Sequence, residues 1–160
     1  MRLCVVAALV SAGCRTGQKT AKQGEVPPIE RFGEGDFPMP GGRIQGQEER
    51  GLYAVVYFDY DSAQVRESER AKVDQVAAAM RSGQGLNIVV EGHCDERGGA
   101  EYNLALGERR ALAIRAYLVG LGVEEGRIHT RSLGEEQPAA VGFNEEAWRL
   151  NRRGEFVEIR

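Results

Sequence analysis

The chain has 160 residues, of which 42% are hydrophobic and 28% charged, the composition of a soluble protein with one ordinary domain. Its net charge is −3, and its lysines and arginines are scattered among acidic residues, so the sequence has no basic patch of the kind that binds nucleic acid. Its three cysteines, two of them near the N-terminus, exclude a regular disulfide framework.

Residues 1–13 have the pattern of a secretory signal peptide. A single basic residue, Arg2, precedes an apolar stretch at 3–10, and small residues follow it as a cleavage site. The stretch is too short to cross a bilayer, which takes about 20 residues. Small residues directly before Cys14 resemble a bacterial lipobox, which implies cleavage before Cys14 and its lipidation. The next residue, Arg15, is not the aspartate that favours inner-membrane retention, so outer-membrane delivery is implied. Two alternatives stay open: an ordinary signal peptide, and a buried N-terminal strand.

Residues 14–51 are predicted to be the lipidated cysteine and a flexible linker. Four of the five prolines lie in this segment, together with many glycines, and large hydrophobic residues are sparse. Such a segment cannot bury enough apolar surface to offset the entropy lost on ordering. The alternative is a separate small domain.

The folded domain is predicted to span residues 52–160. β-branched and aromatic residues at 53–58 indicate a first strand, and a nearly continuous apolar run at 87–91 indicates a second strand covered by helices. Apolar side chains at three- and four-residue spacing indicate helices at 66–81 and 102–121. The remaining predicted elements are a strand at 127–133, a short helix at 145–150 and a strand at 155–159.

This order, β-α-β-α-β-(α)-β, predicts an α/β fold: a two-layer sandwich with one mixed sheet. The first three strands alternate with helices, so parallel pairing is expected among them. The last strand follows a short connection and is expected to be antiparallel. Gly107 lies inside the second helix despite a cost of about 1 kcal/mol relative to alanine, which predicts a close approach of this helix to the sheet.

Three polar residues, Asp95, Asn103 and Arg110, lie between the end of the second strand and the middle of the second helix. Asn103 and Arg110 are two helical turns apart, share a face, and are predicted to point towards the loop that carries Asp95. Arginine suits a carboxylate because it donates two parallel hydrogen bonds, and aspartate suits an ammonium. The trio therefore predicts a site for a zwitterionic ligand end. Neither Asp95 nor Arg110 is on the core stripe, so the fold is expected to survive their replacement. The alternative is that Arg109 and Arg110 form surface ion pairs.

Three sequence runs in this region resemble one family. They are Gly-His-Cys-Asp-Glu-Arg-Gly at 92–98, Glu-Tyr-Asn-Leu at 101–104 and Leu-Gly-Glu-Arg-Arg-Ala at 106–111. Together they look like the OmpA-like peptidoglycan-binding domain, and more narrowly its peptidoglycan-associated lipoprotein branch.

The resemblance implies a role for each candidate residue. Asp95 and Arg110 match the two residues that clasp the free end of diaminopimelate in the peptidoglycan stem peptide, and Asn103 matches the asparagine at the start of the family's helix. The family's loop after the first strand adds Asp59, Tyr60 and Asp61, and its Asn-Arg-Arg run adds Arg153. Two points stay open: whether these acids only end the strand, and which of Arg152 and Arg153 faces the ligand.

The resemblance implies an outer-membrane lipoprotein that tethers the membrane to the wall, in a Tol-type system with a periplasmic propeller protein as partner. No catalytic residue, metal or cofactor is predicted. His93 and Cys94 are neighbours, whose side chains point to opposite faces of a strand, so they are not expected to share a metal. The rival functions are a cell-wall hydrolase or amidase, and a stator or secretion-system anchor.

Overall fold

A computed structural model describes residues 46–83 and 85–160. The predicted signal peptide, Cys14 and most of the predicted linker lie outside these residues. The strands are β1 (Glu48–Arg50), β2 (Val56–Tyr57), β3 (Asn87–His93), β4 (Ile128–Gly134) and β5 (Arg153–Ile159), and the helices are α1 (Glu67–Ser82), α2 (Ala100–Gly120) and α3 (Glu145–Asn151), with a 3-10 turn at Glu125–Arg127. None of the helices within 46–83 and 85–160 is both long enough and apolar enough to pass through a membrane.

One mixed sheet with helices confirms the predicted α/β fold. The strand order is β1-β5-β3-β4, with β2 also paired to β5. β3 and β4 are parallel, and β5 is antiparallel to β1, β2 and β3. The prediction of parallel pairing was therefore right for β3 and β4 and wrong for β2, because β5 lies between β2 and β3. Six of the seven residues of β5 are buried, so this strand needs neighbours on both edges.

Strand β2, which corresponds to the strand predicted at 53–58, has only two residues. Only Val56 and Tyr57 pair with β5, and two backbone groups, at Val55 and Tyr57, bind side chains of α1 instead of a strand. The Nζ atom of Lys72 donates to the Val55 carbonyl at 2.8 Å, and the Tyr57 N–H donates to the Glu69 carboxylate at 2.8 Å. Helix α1 thereby takes over hydrogen bonds that a longer strand would make.

Strand β1 lies inside the segment that was predicted to be linker. Residues Glu48–Arg50 pair with the end of β5, so the folded unit begins before the predicted boundary at Gly51. The strand is polar and has no apolar alternation, which is the signal that strand prediction needs. An ion pair holds β1 on the sheet in place of apolar packing: the Nη2 atom of Arg50 donates to the Glu91 carboxylate at 3.0 Å.

The main core lies between the helices and one face of the sheet. It joins apolar side chains of α1, α2 and the central strands, among them Val73, Met80, Ile88, Val90, Ile114, Leu118 and Phe156. The apolar spacing in the sequence predicts a buried stripe that begins at Leu104, but α2 buries Leu106 and leaves Leu104 39% exposed. The buried stripe of α2 runs unbroken from Asn103 to Leu118, so its N-terminal end is the polar Asn103 and not Leu104.

Two glycines set the distance between α2 and the sheet. A Cβ atom at Gly107 would lie 2.8 Å from the Gly92 carbonyl oxygen, and one at Gly92 would lie 2.6 Å from the Gly107 carbonyl carbon. The backbones of β3 and α2 therefore touch directly, which confirms the close approach predicted from Gly107.

The opposite face of the sheet carries a buried charge cluster. Glu91, His93 and Glu155 lie together on β3 and β5. The Glu91 carboxylate accepts from Arg131 Nε at 2.8 Å, and Glu155 is ion-paired with Arg153. These arginines, with Arg50, already neutralise the acids, so the cluster is an ion-pair network rather than a free cation site.

His93 gives this cluster a pH dependence. The ring is 1% exposed, and neither of its nitrogens has a hydrogen-bond partner among the described residues. Burial and the positive charge of Arg153 lower the pKa of His93 from 6.5 to about 4. Between about pH 6.5 and about pH 4, His93 is therefore protonated in the unfolded chain and neutral in the folded chain. Because the unfolded state binds the extra proton, the free energy of unfolding falls as the pH drops through this range.

We expect His93→Gln to remove this dependence, because glutamine does not titrate. Between pH 7.5 and pH 5 the wild type should lose about 2 kcal/mol more stability than the variant, from ~1.4 kcal/mol per unit of pKa shift. Urea denaturation of both proteins at the two pH values measures the difference. Parallel losses in the two proteins would show that His93 is protonated in the fold.

Candidate functional site

A polar cavity of about 190 Å³ opens beside the end of β3. Its lining comes from four segments: the β2–α1 loop, the loop after β3, the first turns of α2 and the residue before β5. Of the predicted site residues, it brings together Asp95, Asn103, Arg110, Tyr60 and Asp61. The wall thus combines two acids, three arginines and two aromatic rings in one place.

Asp95 is the negative group of the cavity. It is 4% exposed, and its carboxylate accepts from Arg97 at 2.7 Å (Nη2) and 3.2 Å (Nε), and from Arg152 at 3.2 Å (Nη1). Burial opposes the ionisation of this carboxyl, but the hydrogen bonds from Arg97 and Arg152 outweigh burial and hold its pKa below the usual value. Asp95 is therefore a carboxylate at neutral pH, able to bind a cationic group.

Arg110 is the positive group at the floor of the cavity. Its side chain is fully buried, and its donors are aimed mainly at backbone: Nε at the Ser62 carbonyl (2.9 Å), Nη1 at the His93 carbonyl (2.7 Å) and Nη2 at the Asp59 carbonyl (3.1 Å). Burial lowers the pKa of Arg110 below that of a free arginine.

Arg110 forms no ion pair with any residue within 46–83 and 85–160. The surface ion pair that the sequence left open for Arg110 is therefore not formed. A buried guanidinium without a carboxylate partner is costly, and an anionic ligand in the cavity would supply the missing charge. The guanidinium of Arg110 is the feature that most strongly indicates a ligand with a carboxylate.

Asn103 positions the loop that carries Asp95. Its amide nitrogen donates to the Asp95 carbonyl at 3.2 Å and to the Glu135 carboxylate at 2.6 Å. The side chain is 1% exposed, although it contributes to the cavity wall. The structure therefore gives Asn103 a supporting contact to Asp95 and ties the loop to the end of β4.

The three residues of the β2–α1 loop have different positions. Tyr60 and Asp61 line the cavity, and the Asp61 carboxylate accepts a hydrogen bond from the Tyr102 hydroxyl. Asp61 has a φ of 49°, the left-handed conformation that aspartate tolerates in tight turns. The carboxylate of Asp59 lies outside the cavity, 65% exposed and 3.3 Å from Arg66, so only the carbonyl of Asp59 serves the site.

The choice of Arg153 as a cavity residue was wrong, because Arg152 has that position. Consecutive residues entering a strand project to opposite sides. Arg152 turns towards the cavity and Asp95, and its Nη2 atom donates to Glu145 at 2.6 Å. Arg153 turns to the other face of the sheet, where it donates to Glu155 and to the Gln137 carbonyl.

Arg97 is a cavity residue that sequence reasoning missed. Its guanidinium carbon lies 4.2 Å from the ring centre of Tyr60 and 4.1 Å from that of Trp148, so it is held between two aromatic faces. The available signal was the position of Arg97 two residues after Asp95 in the same loop. Trp148 gave no signal, because it is remote in sequence and enters only through the packing of α3.

Comparison with known proteins gives three findings. The model of the OmpA family matches residues 57–152. The peptidoglycan-associated lipoprotein of Pseudomonas aeruginosa is 37% identical over 157 residues, which cover 94% of this chain and 91% of that protein. The corresponding lipoprotein of Haemophilus influenzae is 44% identical over 101 residues, 63% of this chain and 66% of that protein.

Solved structures have the same fold. The crystal structure of the peptidoglycan-associated lipoprotein from Burkholderia pseudomallei has a TM-score of 0.64 and 42% identity, and the match covers 69% of this chain and 90% of that one. The C-terminal domain of Helicobacter pylori MotB has a TM-score of 0.62 at 19% identity, over 67% of this chain and 84% of that one, a likeness of fold alone.

Proposed function

Because this chain belongs to the OmpA family, and within it to the branch of the peptidoglycan-associated lipoproteins, we propose that it binds peptidoglycan non-covalently and tethers the outer membrane to the cell wall. The cavity between β3, α2 and β5 is the binding site. The observation that carries this proposal is the buried guanidinium of Arg110, which has no ionic partner in the described part of the chain and lines the same cavity as the buried carboxylate of Asp95.

The ligand group is the free end of diaminopimelate in the stem peptide. That end carries an ammonium and a carboxylate on one carbon atom, and Asp95 and Arg110 offer one opposite charge to each. Arginine recognises a planar carboxylate by parallel hydrogen bonds, for which Arg110 exchanges part of its bonds to backbone carbonyls when the ligand enters. A lysine-type stem peptide ends in an ammonium alone and would leave Arg110 without its partner. Diaminopimelate is therefore preferred to lysine.

Pull-down with purified sacculi tests the proposal. The chain should be retained by walls of the diaminopimelate type and should be washed off walls of the lysine type. Retention by neither wall would remove the proposed function, and equal retention by both would remove the role given to Arg110. A large excess of free diaminopimelate should release the bound protein, which separates this site from general adhesion to the wall.

A cell-wall hydrolase or amidase is the second candidate, and the cavity gives it little support. Its one nucleophilic side chain is Cys94, which is 3% exposed. Burial raises the pKa of the Cys94 thiol, which disfavours the reactive thiolate. The thiol is 3.2 Å from the Asn103 carbonyl, and it packs where the family commonly has threonine. A binding module fits these contacts better than an enzyme.

The membrane attachment in this proposal is a lipid on Cys14, with residues 15–45 as the first part of the tether. The periplasmic propeller protein of a Tol-type system is proposed as a protein partner. Cys14→Ser should abolish fatty-acid labelling and release the protein from the membrane fraction. In this proposal Cys14 carries both lipid attachments, on its thiol and on its amino group, and stable anchoring needs two. Labelling that persists in this variant would exclude lipidation at Cys14.

A further inference from the structure

Arg97 occupies the position on Asp95 that a ligand ammonium would need. Its side chain donates to both carboxylate oxygens of Asp95, at 3.2 Å from Nε and 2.7 Å from Nη2, and its backbone N–H adds a third hydrogen bond at 3.1 Å. The Asp95 carboxylate is 4% exposed, so few directions of approach are left. A cation that enters the cavity meets a carboxylate already bound to a cation.

The side chain of Arg97 is held in place but is able to leave. Tyr60 and Trp148 stack on its two faces, and stacked guanidinium groups are stabilised by the ring quadrupoles. Yet 28% of the side chain is exposed, in contrast to Arg110 at the floor of the same cavity. The Arg97 side chain therefore borders solvent, into which it can move when a second cation reaches Asp95.

A second acid lies beside Arg97 on the solvent side. The Glu145 carboxylate, at the start of α3, is 3.6 Å from Arg97 Nη1 and is 63% exposed. When the guanidinium of Arg97 leaves Asp95, it can therefore form an ion pair with the carboxylate of Glu145. Arg152, at 3.2 Å, keeps one hydrogen bond on Asp95 when Arg97 moves, so the carboxylate stays charged and oriented.

We propose that Arg97 is an internal competitor for the ammonium of the ligand. In the free protein it holds the ammonium position on Asp95, and the incoming ammonium displaces it towards Glu145. This inference rests on the proposed function, because it assumes that Asp95 binds an ammonium. As a consequence, the cavity binds the ligand with lower affinity, and releases it more readily, than it would without Arg97.

The sign of one substitution distinguishes a competitor from a ligand contact. If Arg97 competes, Arg97→Ala should tighten binding of a soluble diaminopimelate-containing stem peptide by about ten-fold, which corresponds to about 1.4 kcal/mol. Arg97→Lys should tighten it less, since a single ammonium donor still reaches Asp95. Arg149→Ala is the matched control, because it removes an exposed arginine of α3 that is outside the cavity lining. It should leave the affinity unchanged.

Trp148 supplies a direct readout of the displacement. It is the one tryptophan of the chain, and Arg97 lies on its ring. The stem peptide should therefore change the tryptophan emission of the wild type, and the change should be absent in Arg97→Ala although that variant binds more tightly. Circular dichroism confirms that both Arg97 variants are folded.

The outcomes separate this inference from the proposed function. A wild type that binds neither the stem peptide nor sacculi would remove both. A wild type that binds, with an Arg97→Ala variant of equal or weaker affinity, would overturn the competitor role and leave the proposed function standing, with Arg97 as a contact or a bystander. Tighter binding together with loss of the emission change supports the competitor role.

Discussion

Gly92→Ala is expected to destabilise the domain by about 3 kcal/mol or more, at the upper end of what overpacking costs. The new methyl group would meet the carbonyl of Gly107 at 2.6 Å from its carbon atom. This neighbour is backbone of the middle of α2 and cannot turn aside as a side chain would. Helix α2 would have to move off β3, and the core that Ile114 and Leu118 form against the sheet would open.

Gly120→Ala is the matched control for this prediction. Gly120 is the last residue of α2, and a Cβ atom there meets nothing within 4 Å. Alanine should therefore be neutral or stabilise the helix by up to about 1 kcal/mol. Urea denaturation followed by circular dichroism gives both free energies of unfolding. A Gly92→Ala protein as stable as the wild type would show that α2 can shift without cost.

Arg110→Ala is expected to have the largest effect on ligand binding. Loss of the charge-assisted hydrogen bonds to the ligand carboxylate should weaken binding of the stem peptide by ten- to a hundred-fold, from ~1.5–3 kcal/mol per such bond. Arg110→Lys keeps the charge but loses the two parallel donors, so its affinity should be nearly as low. Isothermal titration calorimetry measures both affinities. Combination with Asp95→Asn should cost less than the sum of the single effects, because both residues hold one ligand group.

Replacement of Arg110 is also expected to lower the free energy of unfolding, contrary to the prediction made from its position off the core stripe. Its guanidinium satisfies the carbonyls of Asp59, Ser62 and His93, and each buried carbonyl without a donor costs ~1–3 kcal/mol. Titrations should therefore be run well below the melting temperature of each variant. Arg149→Ala removes an exposed arginine outside the cavity lining and should change neither binding nor stability. Wild-type affinity in folded Arg110→Ala would exclude Arg110 as the carboxylate-binding residue.

Regular elements with an apolar pattern were predictable from the sequence. Both long helices begin and end within two residues of their predicted limits, and β3 follows its apolar run, because burial on one helix face or on a covered strand leaves an apolar pattern in the sequence. β1 gave no such signal. Its residues, Glu48–Arg50, are polar, and it is held by backbone pairing to β5 and by the ion pair of Arg50 with Glu91.

The cavity was predictable where one segment carries the spacing, and less so where distant segments meet. Asp95, Asn103 and Arg110 are close in sequence, and helical geometry places them at one corner. Whether Arg152 or Arg153 faces the cavity depends on which residue begins β5, because successive residues point to opposite faces. The Asn-Arg-Arg run does not indicate where the strand begins. The stack of Tyr60, Arg97 and Trp148 joins three segments, and only tertiary packing brings them together.

The central place of β5 has a consequence for the order in which the domain can fold. β5 follows every other described element in the chain, yet it pairs with β1, β2 and β3. Until it arrives, β1 and β2 have no strand partner and one edge of β3 is open. Most of the sheet must therefore close in a single late step, over loops of long sequence separation, which makes folding slow. A chain that emerges N-terminus first therefore keeps most of its sheet open until β5 has been delivered.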